Sequence, residues 1–423
     1  MLVELTAEQF DAFSEKHPLT SFQQTSDWAK LKSSNGWGHH FFGWQENEEL
    51  LGATMVLDKT FIRMFHLFYA PRGLLVDYHN EKVLKDFSEA LVRKIKALGG
   101  ITLKIDPYID ARELDSVGEL VPGGYDNRGI ISELEKIGYR YRVDEQGNPV
   151  TTIMHSIYVL PFKGRSKEDL FKSFSPTTRT TIRQAEKNGI TVFELKKDEL
   201  PRFKDLMNKT SECRDFVDRP LSYYEAIYDA FHDSGRVKFM IATLNAQNLV
   251  ETMKGKVVQE QATYDRLVQR KQANPEIFKD EGKLSDTILK LDSAKMRLEQ
   301  AKELKQEYGE VIDLTVNMDF VWGNEIVSLY GGNEKALLKF GSQYYMQWQM
   351  IQEAMDKGYQ RYNFYGIPND LKNEDSMHGV FETKKGFNGQ VIHLLGEFDY
   401  VISPLKFKLY QFCSNLYFRI KQR

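Results

Sequence analysis

Two adjacent lysines beside a turn are the first residues of this chain with an evident chemical use. Lys384 and Lys385 stand in "GVFETKKGFNG", directly before a Gly-Phe-Asn-Gly turn. A lysine that a turn fixes at the end of a strand can stabilise the oxyanion that develops on a carbonyl group under attack. Solvated surface is the other interpretation of such a pair, and the pattern alone leaves both open.

A strand-end aspartate and a turn arginine form a second group of candidates. Asp106 ends the apolar stretch "ITLKIDP", where Pro107 stops further strand pairing, so it can cap a turn or face a ligand. Arg72 precedes a glycine in "APRGLL", a turn from which its guanidinium fork can meet a phosphate or a carboxylate.

The stretch "RDFVDRPLSYYEAIYDAF" indicates an anion site at the start of a helix. Arg219 precedes Pro220, which favours the first helical turn, and Tyr223 follows one turn later on the same face. Unpaired backbone N–H groups, an arginine and a tyrosine together suit a phosphate. A structural salt bridge of Arg219 is the alternative that the residues leave open.

Several classes of protein are disfavoured by what the sequence lacks. The nine histidines show no metal-ligand spacing such as HExxH, so no metal site is predicted. GxSxG, Walker A and GxGxxG motifs are also missing, which argues against hydrolases, nucleotide hydrolysis and dinucleotide cofactors. The only cysteines, Cys213 and Cys413, fit a reducing cytoplasm rather than a disulfide framework.

Length and composition indicate a globular protein with more than one domain. The 423 residues exceed one ordinary core, and a 41% hydrophobic, 28% charged composition is typical of globular chains. A net charge of -3 gives no overall attraction to nucleic acid, so a polyanion requires a local basic patch. The N-terminus lacks the features of a secretion signal, and no apolar run reaches ~18 residues, so a cytoplasmic location is expected.

A polar, glycine-poor segment from about Asn248 to Tyr308 predicts two long helices. "QANPEIFKDEG" interrupts it near the middle, which favours an antiparallel hairpin with a coiled-coil seam. The predicted seam residues are Val250, Met253, Val257, Tyr264 and Leu267 in the first helix and Leu284, Ile288, Leu291 and Leu298 in the second. Strand-like stretches at 237–244 and 311–320 flank the segment, so pairing between them would make it an insertion in a sheet hairpin.

The two halves of the chain share an order of elements. "HLFYAPRGLLVDY" leads to a helix, a glycine and the strand "ITLKIDP", and "IVSLYGGNEKALLKF" leads to a helix, Gly358 and "RYNFYGI". Two matched copies of this kind predict two related, mixed α/β domains.

In order and spacing, these stretches resemble the FemABX family of tRNA-dependent peptidoglycan aminoacyltransferases, of the type that acts on lipid II, over essentially the whole chain. The stretches that carry the resemblance are "SFQQTSDWAKLK", "YAPRGLLVDY", "LKIDP", "SPTTRTTIRQAEKNGI", "RDFVDRPLSYYEAIYDAF", the helical hairpin, "LYGG", "NFYGI", "ETKKGFNG" and "GEFDYVI". The resemblance implies a mixed α/β fold of two acetyltransferase-like (GNAT-like) subdomains with a coiled-coil arm. We expect residues 1–145 with 391–423 in the first, 146–247 with 310–390 in the second, and 248–309 in the arm.

The reaction that the resemblance implies is the transfer of an amino acid from aminoacyl-tRNA to the peptidoglycan precursor. The acceptor is the side-chain amine of residue 3 in the stem peptide, or an amino acid already attached there, and no cofactor is expected. Which amino acid is transferred, and whether the precursor is lipid II or the UDP-linked muropeptide, stay open.

Individual positions match the family's motifs. Lys32, four residues after Trp28, and the pair Arg219 and Tyr223 are expected to hold the phosphates and sugar-peptide of the precursor. Tyr330 in "LYGG" is expected to line the acceptor channel.

The same resemblance assigns the catalytic positions. Lys384 matches a lysine in the family's "FKKGF"-like motif, although Thr383 stands where an aromatic residue is commoner, and Lys385 is the alternative. Asp106 is expected in the acceptor channel, where it would position the amine or accept its proton.

Other interpretations stay open at this stage. An acyl-CoA-dependent N-acyltransferase is the main rival, but the glycine-rich pyrophosphate loop that it needs is missing; a coiled-coil adaptor would leave the cationic motifs unexplained. The function of the arm stays open between binding tRNA, docking a related transferase and forming a homodimer. The cationic, aromatic stretch from Pro404 can pack on the first domain or lie against anionic lipid at the inner membrane face.

Overall fold

The computed structural model describes residues 1–214, 217–371 and 378–421. Its strands are β1 (Leu2–Glu4), β2 (Gly38–Glu46), β3 (Glu49–Phe61), β4 (Phe65–Ala70), β5 (Leu75–Val76), β6 (Gly100–Ile105), β7 (Tyr139–Tyr141), β8 (Ser156–Pro161), β9 (Ile190–Glu194), β10 (Val237–Asn245), β11 (Val311–Trp322), β12 (Glu325–Asn333), β13 (Arg361–Gly366), β14 (Gln390–His393) and β15 (Phe398–Val401).

Helices cover these strands along the chain. They are α1 (Ala7–Ser14), α2 (Ser26–Ser34), α3 (Glu81–Ala97), α4 (Gly129–Ile137), α5 (Lys167–Ser173), α6 (Pro176–Lys187), α7 (Leu200–Arg214), α8 (Leu221–Phe231), α9 (Ala246–Ala273), α10 (Glu281–Tyr308), α11 (Ser342–Asp356), α12 (His378–Lys385) and α13 (Pro404–Lys421). Within the described ranges, every helix is too short or too polar to cross a membrane.

The strands form two sheets, which confirms the predicted mixed α/β fold. The first has the order β1-β2-β3-β4-β6-β15-β7, with β5 paired to β3, and the second has the order β14-β8-β13-β12-β11-β10-β9. The division into domains stays a prediction. However, β14 pairs with β8 in the second sheet, so the boundary expected after residue 390 falls inside a strand. A boundary that keeps this strand whole lies after His393.

The repeated order of elements corresponds to one parallel strand pair in each sheet. β4 runs parallel to β6 with α3 between them, and β12 runs parallel to β13 with α11 between them. Gly99 and Gly358 follow the two helices with φ of +83° and +79°, a conformation that favours glycine. Because parallel strands end at the same edge of a sheet, the residues after β4 and β6 meet, and so do those after β12 and β13.

The two long helices are an insertion in a sheet hairpin, as predicted. β10 and β11 pair antiparallel down to Asn245 and Val311, and α9 and α10 extend from that base. Most of the predicted seam is buried or half-buried, but Ile288 is 41% exposed and that prediction is wrong. Thr287 takes the buried position instead, because its hydroxyl donates to the Lys283 carbonyl and so is not left unpaired.

Aromatic residues from both halves pack into one shared core. The rings of Phe22 and Phe320 stack with centres 4.2 Å apart, and Trp322 Nε1 donates to Thr20 Oγ1 at 2.6 Å. This packing joins the N-terminal helices to the second sheet and fixes α2 against α8. The residues that α2 and α8 carry therefore face a common space.

Candidate active site

A cavity of about 820 Å³ lies where the two halves meet. Its walls come from α2, β3, β4 and β6 of the first half, the region of α8, β12 and β13 of the second, and the C-terminal helix α13. Of the predicted site residues, Lys32, Arg219, Tyr223 and Tyr330 line it. Among the described residues, Asp106, Arg72, Lys384 and Lys385 do not form part of its lining.

The helix α2 positions Lys32. Thr25 caps the helix by accepting a hydrogen bond from the Trp28 backbone N–H at 3.1 Å. Trp28 is buried edge-on against Phe22 and Phe231, which anchors the first turn of α2. Lys32 lies one turn later, so its ammonium stands 4.5 Å from the centre of the Trp28 ring, a cation–π distance.

The start of α8 positions Arg219 and Tyr223. Pro220 is the N-cap residue, and the Arg219 guanidinium lies 5.6 Å from the centre of the Tyr223 ring. The nearby carboxylate of Asp218 is occupied by the Tyr224 hydroxyl and the Lys204 ammonium, each at 2.5 Å. In the described parts of the chain no carboxylate pairs with Arg219, so the salt bridge that the sequence left open is not formed with any of those residues.

Lys32 and Arg219 concentrate positive charge on one side of the cavity. Burial, and then the neighbouring Arg219 and Lys59, lowers the pKa of the Lys32 ammonium. Lys32, like Arg219, has no carboxylate partner within 4 Å among the residues that the structure describes. Two cations that repel each other across an accessible cavity would be stabilised by an anion bound between them.

Tyrosines surround these cations. Tyr330 comes from β12 and packs edge-on against Tyr224, with ring centres 6.0 Å apart, while Tyr365, the penultimate residue of β13, lies on the same wall. Burial raises the pKa of Tyr223, so its hydroxyl stays neutral and able to donate a hydrogen bond. Sequence reasoning missed Tyr365, although it lies inside the quoted motif "NFYGI".

The opposite side of the cavity carries charges that neutralise one another. Glu397 is fully buried and lies 3.1 Å from the Lys104 ammonium and 2.5 Å from the Arg142 guanidinium. Asp399 lies 3.4 Å from Arg142 Nε. Sequence reasoning also missed Lys104 and Arg142, because their partners lie at the start of β15 or directly before it, more than 250 residues away along the chain. This side supplies shape and rigidity, whereas the Lys32 side supplies net charge.

Arg72 and Asp106 are buried next to the cavity. The Arg72 backbone N–H donates to Asp106 Oδ1 at 2.7 Å, and Arg72 Nη1 lies 3.4 Å from Oδ2. Arg72 Nη2 also donates to the Met154 carbonyl at 2.6 Å. The fork that was expected to meet a bound anion therefore meets an internal carboxylate. Burial, opposed by Arg72, raises the pKa of Asp106 to about 6.

Lys384 lies next to the cavity wall, and Lys385 faces outward. Lys384 Nζ donates to the Gly366 carbonyl at 2.6 Å and lies 3.4 Å from the carbonyl of Tyr365, whose ring lines the cavity. Lys385 pairs with Glu382 on the same helix and lies 5.6 Å from the Phe381 ring centre. The expected position at a strand end is therefore wrong, because both lysines lie in the last turn of α12. Only the Lys384 ammonium contacts the end of the central strand β13.

The turn after the lysines is held by close packing. Phe387 is fully buried against Phe174 and Phe364. A Cβ at Gly386 would clash with the Thr178 hydroxyl, and one at Gly389 would clash with the Val159 carbonyl. The glycines are required for these approaches, and the turn thereby fixes the end of α12 that carries Lys384.

The fold and the site define a two-sheet α/β protein with a cationic cavity between its halves. Residues 5–415 match the FemAB family. The chain is 30% identical over 415 residues to Aminoacyltransferase FemA of Staphylococcus epidermidis, covering 97% of this chain and 98% of that protein. It is 28% identical over 408 residues to Aminoacyltransferase FemA of Staphylococcus aureus, covering 96% of each. The solved structure of FemX superposes with a TM-score of 0.80 at 24% identity, over 97% of this chain and 99% of FemX. This chain belongs to the FemAB family.

Proposed function

We propose that this protein transfers an amino acid from aminoacyl-tRNA to an amine of the peptidoglycan precursor, during synthesis of the interpeptide bridge. The observation that carries the proposal is the pair of cations, Lys32 and Arg219, without described carboxylate partners in one cavity. Membership of a family whose relatives are named aminoacyltransferases supports the reaction class. An aminoacyl-tRNA donor would locate the reaction in the cytoplasm.

The cations are suited to the phosphates of the precursor. Lipid-linked and UDP-linked precursors both carry a diphosphate, and a lysine on α2 and an arginine just before α8 can each bind one phosphate group. Tyr223 and Tyr330 lie on the same wall, where their hydroxyls can bond to the sugar and stem peptide. In this arrangement the stem-peptide amine would extend along the cavity towards Tyr365.

The chemistry requires little beyond positioning and one positive charge. The amine nitrogen attacks the ester carbonyl of the aminoacyl-tRNA and forms a tetrahedral oxyanion. Collapse of this intermediate forms the amide and expels the ribose hydroxyl of the tRNA, which takes up the proton that the amine loses. The ester is already activated, so the protein need not form a covalent intermediate. We assign the oxyanion to Lys384, whose half-buried ammonium lies behind the cavity wall at Tyr365 and outside the described lining. This role requires the ammonium to turn from the carbonyls of Tyr365 and Gly366 towards the substrate.

Asp106 is better suited to positioning than to proton transfer. Its carboxylate is buried, paired with Arg72, and does not form part of the cavity lining among the described residues. It fixes Arg72, which in turn bonds to the segment at Met154 and faces Tyr365. We therefore assign Asp106 to the support of the wall and leave the proton to the leaving oxygen.

One assay tests the proposal. Purified protein is incubated with a panel of charged tRNAs and with lipid-linked or UDP-linked precursor, and the products are read by mass. The proposal expects the precursor to gain the mass of one amino acid, only when the charged tRNA is present. Transfer from an acyl-CoA without tRNA would instead assign the chain to the acyl-CoA-dependent N-acyltransferases.

A further inference from the structure

The outward face of α13 is an apolar stripe. Leu405, Leu409, Phe412 and Leu416 follow one another at steps of four, three and four residues, which places them on one face of the helix. Their exposed fractions are 84%, 47%, 67% and 51%. Four large apolar side chains aligned in solvent are costly for an isolated protein and typical of an interaction surface.

The opposite face of α13 belongs to the cavity. Phe407 is buried, and Tyr410 packs against Phe61 and Phe65 with ring centres 5.6 Å and 5.8 Å away. Phe407, Tyr410 and Ser414 line the cavity. The helix α13 therefore carries the apolar stripe on one face and lines the cavity with the other.

The turn between β3 and β4 extends the same surface. Ile62 and Met64 are exposed at its tip, and Arg63 stands between them. The aromatic contact of Phe61 with Tyr410 holds this tip beside α13. The stripe and the tip together form a surface contributed by two separate elements.

The charged residues in the sequence of α13 all have one sign. Residues 404–421 contain four cations, Lys406, Lys408, Arg419 and Lys421, and no acidic residue. Lys406 and Lys408 are exposed and, at 100° per residue, flank the stripe on either side. An apolar stripe bordered by cations matches the interface of a bilayer that contains anionic lipid.

We infer that the stripe of α13, with the tip at Ile62–Met64, docks on an anionic membrane surface and holds the cavity beside it. The apolar side chains would enter the headgroup region, while Lys406 and Lys408 meet lipid phosphates. The consequence for catalysis, delivery of a lipid-linked acceptor directly into the cavity, rests on the proposed function. The docking itself does not.

Vesicle co-sedimentation of the full chain tests the docking, with neither tRNA nor acceptor present. The protein should sediment with phosphatidylglycerol-containing vesicles and not with pure phosphatidylcholine vesicles, and salt should weaken the binding. Leu409→Glu combined with Phe412→Glu should lower the partition coefficient by about tenfold or more. Lys406→Gln with Lys408→Gln should reduce both the binding and its salt dependence. Leu289→Glu, at an exposed apolar position on α10, is the matched control and should bind like the wild type.

Three results would overturn the inference. These are no sedimentation with anionic vesicles, equal binding to both vesicle types, or a dimer in sedimentation velocity that Phe412→Glu dissociates. Circular dichroism and the midpoint of urea unfolding establish that each variant is folded. Vesicle binding without any aminoacyl transfer would contradict the proposed function alone, and transfer without vesicle binding would contradict the docking alone.

Discussion

The guanidinium of Arg72 meets the carboxylate of Asp106 across the carboxyl ends of two neighbouring parallel strands, with both side chains buried. Arg72→Met should lower the free energy of unfolding by about 3–5 kcal/mol, because it leaves a buried carboxylate without its partner. Replacing both residues by apolar ones should cost less than the sum of the single changes. Urea unfolding at pH 7 measures these differences.

The exposed pair of Arg128 and Asp126 provides the control for this prediction. Arg128→Met should leave the urea midpoint unchanged, since exposed ion pairs contribute little. Equal effects of Arg72→Met and Arg128→Met would show that the buried pair does not support the cavity wall.

Arg219 and Lys32 should act as one unit in binding the precursor. Arg219→Ala should weaken the affinity for the UDP-linked precursor by about 10- to 100-fold, the usual loss for a charge-assisted contact. Lys32→Ala should do the same, and the double variant should lose less than the product of the two factors because both cations hold one ligand. Isothermal titration calorimetry measures the three affinities.

An exposed arginine outside the cavity provides the comparison. Arg93→Ala on α3 changes the net charge as Arg219→Ala does, and it should leave precursor affinity unchanged. Strictly multiplicative losses for Lys32 and Arg219 would contradict a single shared anion.

Substitutions of Lys384 and Lys385 should have different effects on kcat. Lys384→Met should lower kcat by about 10²- to 10³-fold, the scale of removing one oxyanion donor, while precursor affinity changes little. Lys385→Met should retain near-normal kcat, because that ammonium pairs with Glu382 on the surface of α12. Single-turnover kinetics and equilibrium binding distinguish the two effects. A parallel loss of affinity would make Lys384 a substrate anchor instead.

His393 should make the fold sensitive to mild acid. Burial, and then the neighbouring His155 and Arg112, lowers its pKa to about 4, whereas an unfolded histidine titrates near 6.5. As the pH falls below about 6.5, the unfolded state takes up this proton first, so stability declines until about pH 4. His393→Gln should therefore lose less Tm between pH 7 and pH 5 than the wild type does.

An exposed histidine tests whether this effect is specific. His79→Gln should follow the wild-type curve of Tm against pH. Identical slopes for His393→Gln and the wild type would rule out the buried ring as the source of the acid sensitivity.

Features that depend on residues close together in the sequence could be predicted, whereas contacts that depend on how distant strands pair could not. The order Arg219, Pro220, Tyr223 correctly indicated a helix start, but Arg219 precedes the N-cap Pro220, so helical spacing alone does not fix its position relative to Tyr223. The insertion of the long helices between β10 and β11 was predictable from the flanking apolar strands. The pairing of Arg72 with Asp106 was not predictable, since these residues are 34 positions apart and meet only because β4 and β6 end at the same edge of the sheet. The exposure of Ile288 depends on the angular offset of α10 against α9, which a 3–4 pattern leaves undetermined.

The long helices have a mechanical consequence that follows from where they join the sheet. Each contains 28 residues and so extends for about 42 Å, while their shared base is the last paired position of β10 and β11. A tilt of about 10° at that base would carry the far end through about 7 Å. The two long helices thus form an arm that pivots on a pair of strands of the second sheet. A molecule bound at the far end of the arm would act on β11, the strand that leads into β12 and Tyr330.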